Sequence, residues 1–282
     1  MTGQAGGRPV VDLAGRSAVI TGGLTGQGLA IAHALAQAGA AVAAGSYIGA
    51  GRAGDAAAYA AEDEAARVRE ALAAHGGRVH AGHLDVRDAD AIRAFLADAE
   101  AACGPADILV NAAGTTAEQP VSGHSDALWD KIIDTNLNGA FRMTRELLPG
   151  MMARGWGRIV NIGSTAATVG WKDNPAYCAS KSGLLGLTRC VALEGAPRGV
   201  TCVMISPTWV ETELMHRNLA QVVEREGRGR SLQEALAEVA ARNPQNRIIQ
   251  PDEIAALAAF LCSEGARGIT MENIQITGGA LW

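Results

Sequence analysis

Short apolar runs alternate with longer amphipathic stretches along this chain. The runs Ser17–Thr21 (SAVIT), Ala41–Gly45 (AVAAG), Arg78–Gly82, Asp107–Val110 (DILV), Arg158–Ile162 (RIVNI), Val200–Ile205 (VTCVMI) and Asn273–Thr277 (NIQIT) read as strands. Most are continuously apolar, the pattern of strands buried on both faces. Helical patterns lie between them, over 26–38, about 56–75, 88–103, 126–153, 175–195 and 251–263. Gly39 closes the first of these as a residue just past its C-cap. Strand and helix taking turns predict a parallel sheet with helices on both faces. Seven such strands with right-handed crossovers predict a single doubly wound α/β domain spanning 1–282, with no linker dividing it.

Two segments depart from this rhythm. Ser46–Asp55 (SYIGAGRAGD) is a Gly-rich loop after the second strand. Thr208–Asn246 is a long excursion containing a polar loop (EREGRGR) and a helical pattern at Leu232–Arg242. It follows the carboxyl end of a strand, where open α/β sheets bind ligands. The segment 208–246 is therefore expected to be a lid over a substrate.

Composition narrows the function classes. The 282 residues are 48% hydrophobic and 19% charged, enough apolar material for a sizeable core. With 24 basic against 29 acidic residues, the net charge of −5 argues against a nucleic-acid partner. No apolar run is long enough for a membrane helix, and the N-terminal MTGQAGGRPVVDLAGRS has no signal-peptide core. Cys103, Cys178, Cys190, Cys202 and Cys262 are scattered without paired spacing, as expected of reduced thiols in the cytoplasm. The six histidines show no metal-ligand spacing, so no metal is expected.

The chemistry-bearing motifs sit at strand ends. Directly after the first strand comes Thr21-Gly22-Gly23-Leu24-Thr25-Gly26-Gln27-Gly28, followed by a helix. Glycines permit a tight turn, and a helix N-terminus offers N–H groups and positive partial charge to a pyrophosphate. No P-loop lysine follows, which argues against a nucleoside triphosphate hydrolase. Tyr177 and Lys181 lie at i and i+4, on one face of a predicted helix. A free tyrosine has a pKa near 10, and a neighbouring ammonium is expected to lower it toward acid–base use. Ser164, at the end of the fifth strand, could hydrogen-bond the same reacting oxygen, and Asn136 could orient a water that relays protons to Lys181.

The glycine loop, Asn111-Ala112-Ala113-Gly114 after the fourth strand, Ser164 and the Tyr177/Lys181 pair together resemble the short-chain dehydrogenase/reductase family. The resemblance runs from about Leu13 to Trp282. It implies a single NAD(P)-binding Rossmann domain and a catalytic tetrad at Asn136, Ser164, Tyr177 and Lys181. It further implies cofactor binding by Gly22, Thr25, Gly26, Gln27 and Gly28, then by Ser46, Asp85, Val86, Asn111, Ala113 and Gly114, by Tyr177 and Lys181, and by Pro207, Val210 and Thr212. The implied reaction moves a hydride between nicotinamide and a ketone or secondary alcohol, with Tyr177 as general acid/base.

Departures from the family pattern sharpen the expectation. Ala112 stands where the family usually has a second asparagine, and Thr208 where a glycine usually follows Pro207. The position that carries an acid in NAD-users, 18 residues past Gly28, is Ser46. Its neutrality favours NADP(H), with Arg52 as a partner for a 2′-phosphate and NAD(H) as the alternative. Trp209-Val210, Leu261-Cys262-Ser263-Glu264 and Gly278-Gly279 look like the 3-hydroxybutyrate dehydrogenase branch. That branch's carboxylate-binding positions fall on Ala166 and Asn174, neither of which is cationic. Ala166, Trp171, Trp209 and Met215 instead suggest an apolar, bulky carbonyl substrate.

The main alternative is a 3-oxoacyl or polyketide ketoreductase acting on a carrier-bound substrate. It would need a basic patch, for which Arg142, Arg145 and Arg217 are the candidates. A catalytically silent cofactor sensor is a third reading, opposed by the intact tetrad. The resemblance also implies a homotetramer built on the helices around 126–153 and 175–195.

Overall fold

In the computed structural model, strands β1 (Ser17–Thr21), β2 (Ala41–Ser46), β3 (Val79–His83), β4 (Ile108–Asn111), β5 (Gly157–Ile162), β6 (Val200–Pro207) and β7 (Asn273–Ile276) form one sheet. The structure describes residues 11–49, 60–61, 63–227 and 229–280. All strand pairs are parallel, in the order β3-β2-β1-β4-β5-β6-β7. All but the edge strands β3 and β7 are buried along their whole length, as their largely apolar runs lead one to expect.

The strands alternate between two cores. Ile20, Val110 and Val160 face a layer containing Ile31 and Leu35 of α1 (Gly26–Gln37). Val19, Leu109 and Ile159 face the opposite layer, with Phe95, Met143, Met151 and Val191. Successive residues therefore serve opposite faces, the period-2 rule of a strand. Helices α2 (Glu64–Ala73), α3 (Ala89–Cys103), α4 (Asp126–Ile133), α5 (Gly139–Arg154) and α6 (Pro175–Gly195) complete the crossovers through β6. Helices α7 (Glu213–Glu226), α8 (Leu232–Ala241) and α9 (Pro251–Cys262) follow, and α9 packs against α1. The order reverses between β1 and β4: the chain leaves β1 for β2 and β3, then returns to the far side of β1. A crevice opens there at the carboxyl ends, where Thr21, Gly45 and Asn111 stand level.

The element pattern differs from the sequence expectation in three places. The helix expected over 126–153 is interrupted by a π-turn at Asp134–Asn138, which turns Asn136 into the interior. The helix expected over 56–75 begins only at Glu64: Ala60 instead pairs with Ile48 in a parallel bridge, and residues 50–59 and 62, with part of the Gly-rich loop, lie outside the described residues. In the 208–246 excursion, α7 is a helix that the apolar pattern did not predict, and it absorbs the start of the expected polar loop. It begins at Thr212, whose side chain accepts the Met215 N–H at 3.2 Å as an N-cap. Met215 and Leu219 pack on Ala235 and Val239 of α8, forming a small core separate from the two main ones.

Candidate active site

The glycine loop is held by β4 as well as by β1. The Thr21 hydroxyl accepts the N–H groups of Ala112 and Ala113, each at 3.1 Å. Gly22 has φ +67°, and a Cβ there would lie 2.8 Å from the Ala113 nitrogen. A Cβ at Gly28 would lie 2.2 Å from the Gly22 carbonyl oxygen, so neither position admits a side chain. The first turn of α1 has no side-chain cap and no acidic residue. Its N–H groups and partial positive charge thus face the crevice without a competing carboxylate, which fits a dinucleotide pyrophosphate.

Beside the loop lies a crevice of about 130 Å³. Gly22, Thr25, Ser46, Asp85, Val86, Ala113 and Gly114 line it, so these expected residues do come together. The Ser46 hydroxyl accepts the Leu24 N–H at 3.1 Å and ties the end of β2 to the loop. Tyr47 and Arg87 also line the crevice and were not foreseen, and Arg217, expected only as part of a carrier-binding patch, lines it too. Arg87 grips the Asp85 carboxylate through two bonds, of 2.8 and 3.0 Å, and its guanidinium lies 5.4 Å from the Tyr47 ring centroid. The expected cation Arg52 lies outside the described residues. Asn111 and Pro207 line neither cavity. Asn111 instead donates to Asn161 Oδ1 at 2.8 Å, and Asn161 donates to Thr188 at 2.9 Å, a buried polar chain joining β4, β5 and α6.

Helix α6 starts at Pro175, whose fixed φ suits a first helical position. Its buried stripe includes Ala176, Ser180, Leu184 and Thr188, and it sets Tyr177 and Lys181 one turn apart, with Lys181 buried and lining neither cavity. Tyr177 and Ser164 line the same cavity. Ser164 also caps the short turn Thr165–Ala167, accepting the Ala166 N–H at 3.1 Å. The Lys181 ammonium donates to the Ile162 carbonyl at 2.8 Å and lies 5.7 Å from the Tyr177 ring centroid. A Cβ added at Gly114 would meet both Asn136 Oδ1 and Lys181 Nζ, at 3.6 and 3.8 Å, so glycine keeps that corner open.

Two expectations about these residues change. Burial pushes the Tyr177 phenol above its ordinary value, and the neighbouring Ser164 hydroxyl only partly opposes this. The ammonium one turn away does not reverse the direction, because desolvation penalises the phenolate more. Burial also pushes Lys181 down, to about 8. Asn136 has no donor left for a water: its Nδ2 donates to Thr115 O at 2.9 Å and to Ser180 Oγ at 3.1 Å. Its Oδ1 accepts the Thr115 N–H at 2.8 Å, so the side chain clamps the β4–α4 loop to α6.

A second cavity, about 230 Å³, opens onto Ser164 and Tyr177. Gln27, Trp171, Trp209, Val210, Thr212 and Met215 line it, as expected of neighbours of one site. The two tryptophans meet edge to face at 5.4 Å. Ala166 does not line the cavity; it is 1% exposed, packed under the Ser164 turn. Nor is the wall purely apolar. Thr116, Asn174, Asn218 and Gln221 add neutral polar groups, and Glu118 forms an ion pair with Arg225 across the rim. The residues missed from the sequence come mainly from α7: Leu214, Asn218, Gln221, Val222 and Arg225. Their helical spacing was the available signal.

Comparison with known proteins agrees with this geometry. A family model described as enoyl-(acyl carrier protein) reductase matches residues 22–280. The chain is 37% identical to a D-beta-hydroxybutyrate dehydrogenase of Cupriavidus necator, over 96% of each chain. It is 39% identical to a D-threitol dehydrogenase of Mycolicibacterium smegmatis, over 95% of this chain and 93% of that one. A solved actinorhodin polyketide ketoreductase with NADPH superposes with a TM-score of 0.83 at 32% identity, over 94% of this chain and 97% of that chain. The chain thus belongs to the short-chain dehydrogenase/reductase family and is an oxidoreductase acting on CH–OH groups.

Proposed function

We propose that this enzyme interconverts a ketone and a secondary alcohol on a free small molecule, with Tyr177 as general acid/base. The observation that carries the reading is that Tyr177 and Ser164 line one cavity, with the Lys181 ammonium one helical turn along and 5.7 Å from the Tyr177 ring centroid. A bound nicotinamide cofactor supplies or accepts the hydride. The α1 N-terminus and Gly22 would hold its pyrophosphate, with Ser46, Asp85 and Val86 at the adenosine and Val210 and Thr212 toward the nicotinamide.

The residues then act in sequence. Ser164 donates a hydrogen bond to the carbonyl oxygen and fixes it beside Tyr177 Oη. Tyr177 gives its proton to that oxygen during reduction and takes it back during oxidation. Its raised pKa keeps the phenol protonated near neutrality, the form that reduction needs. Lys181, with a pKa of about 8, stays mostly charged at pH 7 and lowers the cost of the transient phenolate. Asn136 acts as a positioning residue, through Thr115 and Ser180.

The α7–α8 pair serves as the lid, with Trp209 and Met215 as substrate contacts. The cavity's one rim cation among the described residues, Arg225, is already neutralised by Glu118. That favours an uncharged substrate, held by tryptophan faces and by amides, over a small hydroxy acid. The carrier-bound alternative is disfavoured because each candidate arginine has an acidic neighbour: Arg142 with Asp134, Arg145 with Glu146, Arg217 with Glu213. NADP(H) is the preferred cofactor in this reading, given the neutral Ser46 at the end of β2. The five cysteines are free thiols, in keeping with a cytoplasmic enzyme. Exposed Trp129, Phe141 and Leu193 on α4, α5 and α6 support assembly as a homotetramer.

A panel of neutral ketones, polyols and hydroxy acids, assayed with both cofactors by nicotinamide absorbance, tests the reading. Turnover of neutral carbonyls or alcohols is expected. Turnover confined to carrier-bound thioesters would overturn it.

A further inference from the structure

Gln27 stands apart from the rest of the glycine loop. Its neighbours Gly26 and Gly28 are there for their lack of a side chain, whereas the half-buried Gln27 carries a full carboxamide to the cavity wall. The Oε1 atom is buried and has no hydrogen-bond partner, and no other bond to this side chain exists among the described residues. A buried carbonyl acceptor left unpaired is costly, and such groups are normally satisfied. The carboxamide lines the same cavity as Ser164 and Tyr177. It also lies on the side of Thr212: a Cβ at the adjacent Gly26 would sit 3.6 Å from the Thr212 methyl group. The nearby Thr212 hydroxyl directs its proton elsewhere, donating to the Val210 carbonyl at 3.4 Å.

We propose that Gln27 Oε1 accepts a hydrogen bond from the carboxamide N–H of the bound nicotinamide, and so sets which way the ring is turned toward Tyr177. The assignment rests on the functional reading above and adds a side-chain role to a loop otherwise used through its backbone. The complementarity is chemical: a desolvated amide acceptor meets the single amide donor that a pyridine nucleotide carries on its ring. Gln27 is thus a specificity residue for the cofactor's reacting end, distinct from Ser46, which lies in the adenosine crevice.

The test compares binding of the oxidised cofactor with binding of its 3-acetylpyridine analogue, in which a methyl group replaces the amide nitrogen. Dissociation constants are measured by calorimetry, without substrate, for the wild type, Gln27→Met and Gln27→Glu. In the wild type the natural cofactor should bind more tightly. Gln27→Met should narrow that preference by about 3- to 10-fold, the size of one neutral hydrogen bond. It should do so by weakening the natural cofactor while leaving the analogue's affinity unchanged. Gln27→Glu keeps an acceptor and should retain the wild-type preference. Circular dichroism checks that both variants are folded, and a misfolded Gln27→Met leaves the comparison to Gln27→Leu. An unchanged preference in a folded methionine or leucine variant overturns the assignment, as does an effect confined to the KM of the carbonyl substrate. Binding of neither dinucleotide to the wild type would remove the functional reading and this assignment together.

Discussion

Lys181 illustrates how the chemistry of this site weakens the fold that holds it. Lys181 is 5% exposed, and burial pushes its pKa from 10.5 down to about 8. Between those two values the unfolded chain keeps a proton that the folded protein has shed. Folding stability therefore rises with pH through that window, and the full penalty applies below it. A depression of this size amounts to about 3 kcal/mol. Lys181→Met should stabilise the protein at pH 7 by a large part of that amount and flatten the alkaline rise, while abolishing turnover. Urea unfolding from pH 7 to 10.5 checks this; an unchanged pH slope would contradict it. The spacing of Tyr177, Lys181 and Ser164 was legible in the sequence, because it is fixed by one helix turn and one strand end. The clamp made by Asn136 was not, since it depends on a π-turn that leaves no local signature.

At the end of β2, the Ser46 hydroxyl lies in the crevice proposed for the adenosine and carries no charge. Ser46→Asp would place a carboxylate against a 2′-phosphate. The ratio of NADP to NAD dissociation constants should shift toward NAD by about tenfold or more, equivalent to 1.4 kcal/mol. A wild type that already binds NAD more tightly would contradict the cofactor preference proposed here.

At the scale of elements, α7 was the hardest to read. It buries only Met215 and Leu219 among many charged and amide side chains, too few for its apolar content alone to mark a helix. What holds it is a small core shared with α8, separate from the two cores that stabilise the sheet. Damage there should stay local. Leu219→Ala should cost about 2–3 kcal/mol within the pair. It should raise KM several-fold and speed amide exchange in α7 and α8, with little change in exchange of the sheet strands. Equal acceleration in β1 and β4 would show that the pair is an integral part of the fold and not a cover. By contrast α6, with Pro175 at its start and a long buried stripe, was legible to within a residue or two.

For the whole molecule, the doubly wound sheet followed directly from seven apolar runs separated by helices. Its crevice followed from the reversal of strand order at β1 and β4. The cavity's mixed lining did not follow, because α7 and the β4–α4 loop meet only in three dimensions. Assembly is likewise a property of the exterior. Leu193 is 68% exposed and Phe141 44% exposed, on the helices expected to pair subunits. Leu193→Glu should leave the monomer folded and lower the mass seen by sedimentation velocity. A tetramer that survives this change would place the contact elsewhere.

Tyr177→Phe is the most direct test of the whole account, with turnover and cofactor affinity measured on the same preparation. The ring and its packing are kept, and only the proton-carrying oxygen is lost. Turnover should fall by about 10²–10⁴-fold while the cofactor dissociation constant stays unchanged. Turnover within a few-fold of the wild type would mean that another group moves the proton.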